Sequence, residues 1–212
     1  MTTAVILISG RGSNMQAILE AKLSIRVACV ISNDPAAAGL ATARHYGVET
    51  TAIDHRSFPD RAGFDARLAE TIDSHRPDVV VLAGFMRILT PGFVARYQGR
   101  LVNIHPSLLP SFPGLDTHRR AIEAGVRIHG CTVHYVTPEL DAGPIIVQAA
   151  VPVLPDDDED RLAARVLAQE HLIYPQALRW IATGRVRLGP DGRVQHATAI
   201  AAGALIAPAL DA

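Results

Sequence analysis

Three side chains in this sequence have the chemistry to act together on a carbonyl carbon: Asn103, His105 and Asp141, near the two ends of LVNIHPSLLPSFPGLDTHRRAIEAGVRIHGCTVHYVTPELDAGP, residues 101–144. Asn103 and His105 are two apart, and in an extended segment such residues point to one face. Pro106 keeps His105 out of the helical region, so an amide and an imidazole are presented together where the apolar run Leu101 to Ile104 stops. An imidazole exchanges protons near neutral pH, an amide can donate to a developing oxyanion, and a carboxylate can hold an imidazole and favour its charged form. The set suits addition to, and collapse from, a carbonyl-type centre. Asp141 is far from His105 in sequence, so only the fold can bring it there.

A second chemical signal lies at the start of the chain. Ala4 to Ser9 (AVILIS) is a continuous apolar run, which predicts a strand covered on both faces. It turns at GRGSN, residues 10–14, and MQAILEA follows with helical spacing of Met15, Ile18 and Leu19. Strand, glycine-rich turn and helix start form an anion site, because free backbone N–H groups and the helix dipole favour phosphate there. Ser13 or Asn14 is expected to cap the helix. The two glycines also begin a dinucleotide fingerprint, but its third position is Met15, which weakens a nicotinamide reading. A tight turn without a ligand is the plain alternative.

The elements that must position these groups alternate. Ile25 to Ser32 reads as a strand, Asn33-Asp34-Pro35 as a turn, Ala36 to Tyr46 as a helix stopped by Gly47, and Val48 to Ile53 as a short strand. Phe58 to His75 reads as an amphipathic helix, and Asp78 to Ala83 (DVVVLA) as a buried strand. Gly84 to Leu89 follows at its carboxyl end, where open α/β sheets bind ligands; this apolar segment is either core or a wall for a flat ligand. Thr117 to Gly125 is expected as a helix, Arg127 to Val136 and Ile145 to Val151 as strands. A long helix follows the acidic run Asp156 to Asp160, whose charge suits the dipole; no glycine sits where a calcium loop needs one. Pro175 is expected to kink that helix or start a second segment. Such alternation predicts an α/β fold, a single doubly wound Rossmann-like domain with a mostly parallel central sheet and an antiparallel C-terminal strand. Gly189 to Gly192 is expected as a turn between two short strands, and the Ala-rich end as an unstructured tail.

Composition excludes several function classes. The 212 residues are 49% hydrophobic and 19% charged with net charge -1, ordinary globular chemistry that carries no sign of a nucleic-acid or membrane surface. Lys22 is the sole lysine and follows no glycine-rich turn, which removes Schiff-base catalysis and the lysine phosphate loop. Cys29 and Cys131 sit in apolar runs and read as buried free thiols of a reducing compartment; sulfur ligation of a metal would need more cysteines, closer together. His129 and His134 are five apart, so on one strand they face opposite sides and cannot share an ion. His134 is a candidate to support the site, or a structural histidine; His118 reads as structural or capping. No metal is expected, and a cytoplasmic location is the default in the absence of a signal-peptide pattern or an apolar stretch of membrane length.

Five separated blocks, ISGRGSN, VVLAGFMRIL, NIHPSLLPSFPG, HGCTVHYVTPELDAGPII and QEHLIYP, resemble the glycinamide ribonucleotide formyltransferase family, from about Val5 to about Gly184. The broader formyl-folate fold shares only the Asn-x-His-Pro-Ser-Leu-Leu-Pro and Asp-x-Gly blocks. The resemblance implies formyltetrahydrofolate as donor co-substrate, glycinamide ribonucleotide as acceptor and no metal. It implies that Gly12, Ser13 and Asn14 hold the ribonucleotide phosphate and that Glu170 binds the ribose hydroxyls. It further implies that Met86, Arg87, Ile88 and Leu89 line the pteridine pocket, that Arg61 lies near the folate tail, and that the loop from Thr137 to Asp141 closes over the pteridine. Asn103, His105 and Asp141 become the catalytic trio, with Asn103 and Asp141 also on the folate side. The catalytic domain is expected at 1–184 and a tail with a short hairpin at 185–212, in a monomer or homodimer without nucleic acid or membrane. Arg11 and Ala142 fall at positions that vary in such enzymes. A formyltetrahydrofolate hydrolase would use the same trio but usually carries a preceding regulatory domain, and a methionyl-tRNA formyltransferase would need a further domain and a basic face. A non-enzymatic nucleotide-binding module would explain GRGSN and leave the Asn-His pairing without purpose.

Overall fold

A computed structural model describes residues 1–197. In chain order the strands and helices are β1 Thr2–Ile8, α1 Ser13–Glu20, β2 Ile25–Ser32, α2 Ala38–His45, β3 Glu49–Ala52, α3 Arg61–Ser74, β4 Val79–Leu82, α4 Pro91–Arg96, β5 Leu101–His105, α5 Thr117–Glu123, β6 Ile128–Tyr135, β7 Ile145–Pro152, α6 Glu159–Ala182, β8 Val186–Leu188 and β9 Val194–His196. One seven-stranded sheet has the order β3-β2-β1-β4-β5-β6-β7, and β8 and β9 form a separate hairpin. The first five strands pair in parallel. β6 pairs antiparallel with both β5 and β7, so it alone runs against the rest. This is the mostly parallel, doubly wound α/β sheet that the alternation predicts, and it reverses direction of travel between β1 and β4, where such sheets bind ligands.

Period-two alternation of β1 divides the core. Ile6 and Ile8 join a cluster with Met15, Val30, Val81, Val102, Tyr174 and Leu178, beneath α1, α2 and α6. Val5 and Leu7 join Ile31, Phe64, Leu68, Ile72, Val80 and Tyr97, beneath α3 and α4. Every residue from Ala4 to Ile8 is buried, as a strand covered on both faces requires. The phenol of the fully buried Tyr174 lies 2.9 Å from the Leu82 carbonyl and 3.0 Å from that of Val102, fixing α6 to the ends of β4 and β5.

Several local expectations need correction. Pro175 starts no second segment: α6 is one helix from Glu159 to Ala182 with Pro175 inside it and buried, so packing of that face outweighs the roughly 3 kcal/mol cost of an internal proline. α1 is not capped by Ser13 or Asn14; its N-cap is Gly12, at φ 74 and with no side-chain cap bond. The third helix begins at Arg61 because the Asp60 carboxylate accepts from the Gly63 N–H, and a separate 3₁₀ turn occupies His55–Ser57. α4, six residues long, carries too few positions to show an apolar period, and Thr90 as N-cap and Pro91 in the first turn are its start signal. The hairpin expected around Gly189 to Gly192 is present as β8 and β9; the Ala-rich end, from residue 198 on, lies outside the described residues. Among the described residues no helix is long and apolar enough to cross a membrane.

Candidate functional site

β5 presents Asn103 and His105 on one face, opposite His134 and Thr132 of β6. The loop between β6 and β7 then brings Asp141 back over them. His105 Nδ1 lies 3.4 Å from Asp141 Oδ2, and both side chains are largely buried. Asp141 sits at φ 52, a left-handed conformation that few non-glycine residues adopt, and its Oδ2 also accepts from the Gly114 N–H at 2.8 Å. The other ring nitrogen, Nε2 of His105, meets the Phe112 carbonyl at 3.0 Å. Both nitrogens therefore face acceptors, an arrangement that only the doubly protonated ring satisfies in full.

Asn103 is held from behind. Its Nδ2 is 3.3 Å from His134 Nε2, while His134 Nδ1 is 3.0 Å from the Tyr135 carbonyl. The second contact calls for a proton on Nδ1, leaving Nε2 to accept from the amide. Burial pushes the His134 ring toward its neutral form, in keeping with that role. One amide hydrogen of Asn103 is thereby used and the other remains for a ligand. His134 thus holds the Asn103 amide from the neighbouring strand. His129 turns the other way, as its odd spacing requires, and its ring meets His118 and Phe112 with centroids 5.3 and 5.8 Å away. Burial lowers the His129 pKa to about 4. His118 is no cap: the residue before α5 is Asp116, which makes no side-chain cap bond.

The turn 111–116 touches both His105 and Asp141, which local sequence patterns do not reveal. Arg120 pins it: Nη1 donates to the Pro113 carbonyl at 2.6 Å and to the Leu115 carbonyl at 3.2 Å, and the guanidinium lies 5.6 Å from the Phe112 ring centre. Arg120→Ala is expected to lower any turnover that uses His105 and Asp141 roughly tenfold while leaving binding at the glycine-rich turn unchanged, and Arg120→Lys to restore part of the loss. Steady-state kinetics with a separate binding titration checks this, and equal losses in kcat and affinity would contradict it.

The glycine-rich turn lines a cavity of about 240 Å³ with Ser9, Gly10, Arg11, Gly12, Ser13, Asn14, Ala83, Gly84 and Met86. Because Gly12 caps α1 without a side chain, the first N–H groups of that helix stay free for an anion. Asn14 instead reaches across the molecule and donates from Nδ2 to Glu170 Oε2 of α6 at 2.7 Å. Glu170 is only 6% exposed, and burial raises its pKa despite that bond. Asn14 Oδ1 is buried with no partner. A carboxylate and an amide oxygen thus border the cradle, ready to accept from hydroxyl groups.

Met86, Arg87, Ile88 and Leu89 follow the carboxyl end of β4. Met86 and Ile88 are 67% and 60% exposed, which removes them from the core; Leu89 and Phe85 pack partly against the cluster under α3. The Met86 N–H donates to Ser9 Oγ at 2.7 Å, joining this segment to the cradle. Arg87 lies 5.8 Å over the Phe64 ring. Thr137 bonds within its own loop, to the Glu139 carbonyl at 3.3 Å. Arg61 is exposed in the first turn of α3 and has no hydrogen bond to any of these groups.

The formyl transferase family model matches residues 2–178. The phosphoribosylglycinamide formyltransferase of Escherichia coli strain K12 is 53% identical over 188 residues, spanning 87% of this chain and 89% of that protein. The human trifunctional purine biosynthetic protein adenosine-3 is 46% identical over 193 residues, which cover 89% of this chain and 19% of that longer protein. A solved phosphoribosylglycinamide formyltransferase of Coxiella burnetii, in complex with CHES, superposes with a TM-score of 0.88 at 47% identity, over 92% of this chain and 93% of the other.

Proposed function

Because the chain belongs to the phosphoribosylglycinamide formyltransferases of the formyl transferase family, we propose that it moves a formyl group from formyltetrahydrofolate to the amine of glycinamide ribonucleotide in purine biosynthesis. The observation that carries the reading is the His105 to Asp141 contact of 3.4 Å, beside Asn103 and one strand away from the anion cradle. The ribonucleotide phosphate takes the N–H groups of Gly12, Ser13 and Asn14, and Glu170 and Asn14 accept from its ribose hydroxyls. The pteridine of the donor lies against Met86, Arg87, Ile88 and Leu89 under the loop from Thr137 to Asp141, with Arg61 toward its tail. The catalytic unit spans 1–184, with 185–212 as a tail carrying the hairpin. Two free buried cysteines support a reducing, cytoplasmic setting for a monomer or homodimer without nucleic-acid or membrane partners.

The amine attacks the formyl carbon directly, forming a C–N bond and a tetrahedral oxyanion. The free hydrogen of the Asn103 amide and the charged His105 ring stabilise that oxygen. At 3.4 Å the Nδ1 contact is looser than the ~2.7–2.9 Å of a tight charge-assisted bond, which lets that nitrogen turn to the reacting group. Collapse breaks the C–N bond to the folate, and the proton lost by the amine reaches the folate nitrogen through His105. His105 gives its proton to the leaving nitrogen before it takes the one lost by the amine, Asp141 balances the ring's charge whenever the ring is protonated, and the step needs no metal.

The test mixes the protein with formyltetrahydrofolate with and without glycinamide ribonucleotide and follows the formyl group. Formylated ribonucleotide, formed only when the acceptor is present, is the expected product. Formate released equally in both mixtures would assign water as acceptor, and ribonucleotide binding without any turnover would leave a binding module.

A further inference from the structure

Far from this site, Cys29, Glu49 and His75 converge although they are 20 and 26 residues apart in sequence. Register accounts for the first pair: Cys29 of β2 lies directly beside Glu49 of β3, so both side chains leave the same face of the sheet. α3 covers that face, with Ile72 in the same buried cluster as Cys29, and His75 follows at the helix end. Cys29 Sγ, a Glu49 carboxylate oxygen and a His75 ring nitrogen all lie within 4.8 Å of one another. Cys29 is fully buried, His75 half-buried and Glu49 exposed, so the sulfur is the floor of the cluster and the other two open to solvent.

None of the three is committed elsewhere. Cys29 Sγ has only long contacts, 3.6 Å to the Val30 carbonyl and 3.8 Å to Thr51 Oγ1. Among the described residues neither the Glu49 carboxylate nor the His75 ring makes a hydrogen bond or ion pair. We propose that Cys29, Glu49 and His75 form a zinc-binding site that ties the edge strand β3 to the end of α3, with water as the fourth ligand. Sulfur, nitrogen and oxygen donors select zinc over calcium and magnesium, which take oxygen. On binding, the Cys29 thiol loses its proton to solvent, and thiolate plus carboxylate match the two positive charges of the ion. Around a tetrahedral zinc, donors at about 2.0 and 2.3 Å stand about 3.5 Å apart. The cluster therefore has to tighten by roughly 1 Å, a movement that falls to the solvent-facing Glu49 and His75 rather than to the strand-held sulfur. The expectation that sulfur ligation needs clustered cysteines applies to motifs close in sequence; here sheet register does the gathering.

The test titrates the full-length protein with Zn²⁺ against a chromophoric chelator, and loads a parallel sample with Co²⁺. One ion per chain is expected, with a dissociation constant on the order of micromolar or tighter, together with a thiolate-to-cobalt charge-transfer band. Cys29→Ser should abolish the band, and His75→Ala and Glu49→Gln should each weaken zinc at least tenfold. The last two changes are at the surface and keep the test open if the buried serine fails to fold. Formyl transfer should be unchanged in all three, since none lies in the candidate site. Zinc binding of equal strength in His75→Ala, a cobalt complex without the thiolate band, or no stoichiometric uptake would each overturn the assignment.

Discussion

His105→Ala is expected to lower kcat for formyl transfer by on the order of 10³-fold, because one side chain supplies both oxyanion stabilisation and proton transfer. The ring is 6% exposed, held through Nε2 by the Phe112 carbonyl and facing Asp141 with Nδ1 at 3.4 Å, so its removal takes the proton-transfer group out of that place. Ribonucleotide affinity should hold, since the proposed phosphate cradle lies between β1 and α1. Asp141→Asn separates charge from shape: the amide can still accept from Gly114, but it no longer balances a charged imidazole. Its kcat should fall roughly 10²-fold, with an altered pH–rate profile. Turnover and profile both unchanged in Asp141→Asn would take the carboxylate out of the mechanism, and near-normal turnover in His105→Ala would end it.

Gly143→Ala should be nearly as damaging without touching any reacting group. An added Cβ would stand 1.7 Å from the Tyr135 carbonyl oxygen, where the loop from 136 to 144 returns to the sheet. The neighbouring Tyr135 N–H donates to the Pro144 carbonyl at 2.9 Å, so the two backbones are tied at the point of the clash. The loop must retreat by more than an ångström, and Asp141 lies two residues away within it. A displacement of that size at a catalytic group costs about 10² in rate, and forcing the extra methyl in should cost ~1–3 kcal/mol of stability. Steady-state kinetics beside a chemical denaturation curve measures both. A variant with normal kcat would show that the loop's resting position is unimportant to turnover.

What the sequence made legible is what local chemistry fixes. Apolar runs such as AVILIS and DVVVLA foretold the buried strands, and the two-residue spacing of Asn103 and His105 foretold their common face. GRGSN foretold a turn into a helix but not its cap, because Gly12 reaches a left-handed conformation that removes the need for Ser13 or Asn14 to serve. Contacts made only by the tertiary fold stayed hidden: Asn14 with Glu170, Gly114 with Asp141, and the guanidinium of Arg120 over a turn that reads as featureless. That Pro175 starts no second segment was hidden for a related reason, since it lies buried inside α6 in packing that only the tertiary fold supplies.

The bond between Asn14 and Glu170 joins residues 156 positions apart. Closing so long a span as an isolated event would cost about 4–5 kcal/mol of chain entropy, far more than one hydrogen bond returns. The acidic side of the glycine-rich turn can therefore exist only after the intervening sheet has assembled and α6 has docked through Tyr174. In a chain made from its amino end, the glycine-rich turn is among the first segments synthesised, yet it gains its acidic neighbour among the last. Affinity for a ribonucleotide should then appear late in folding, as a sign that the whole domain is in place.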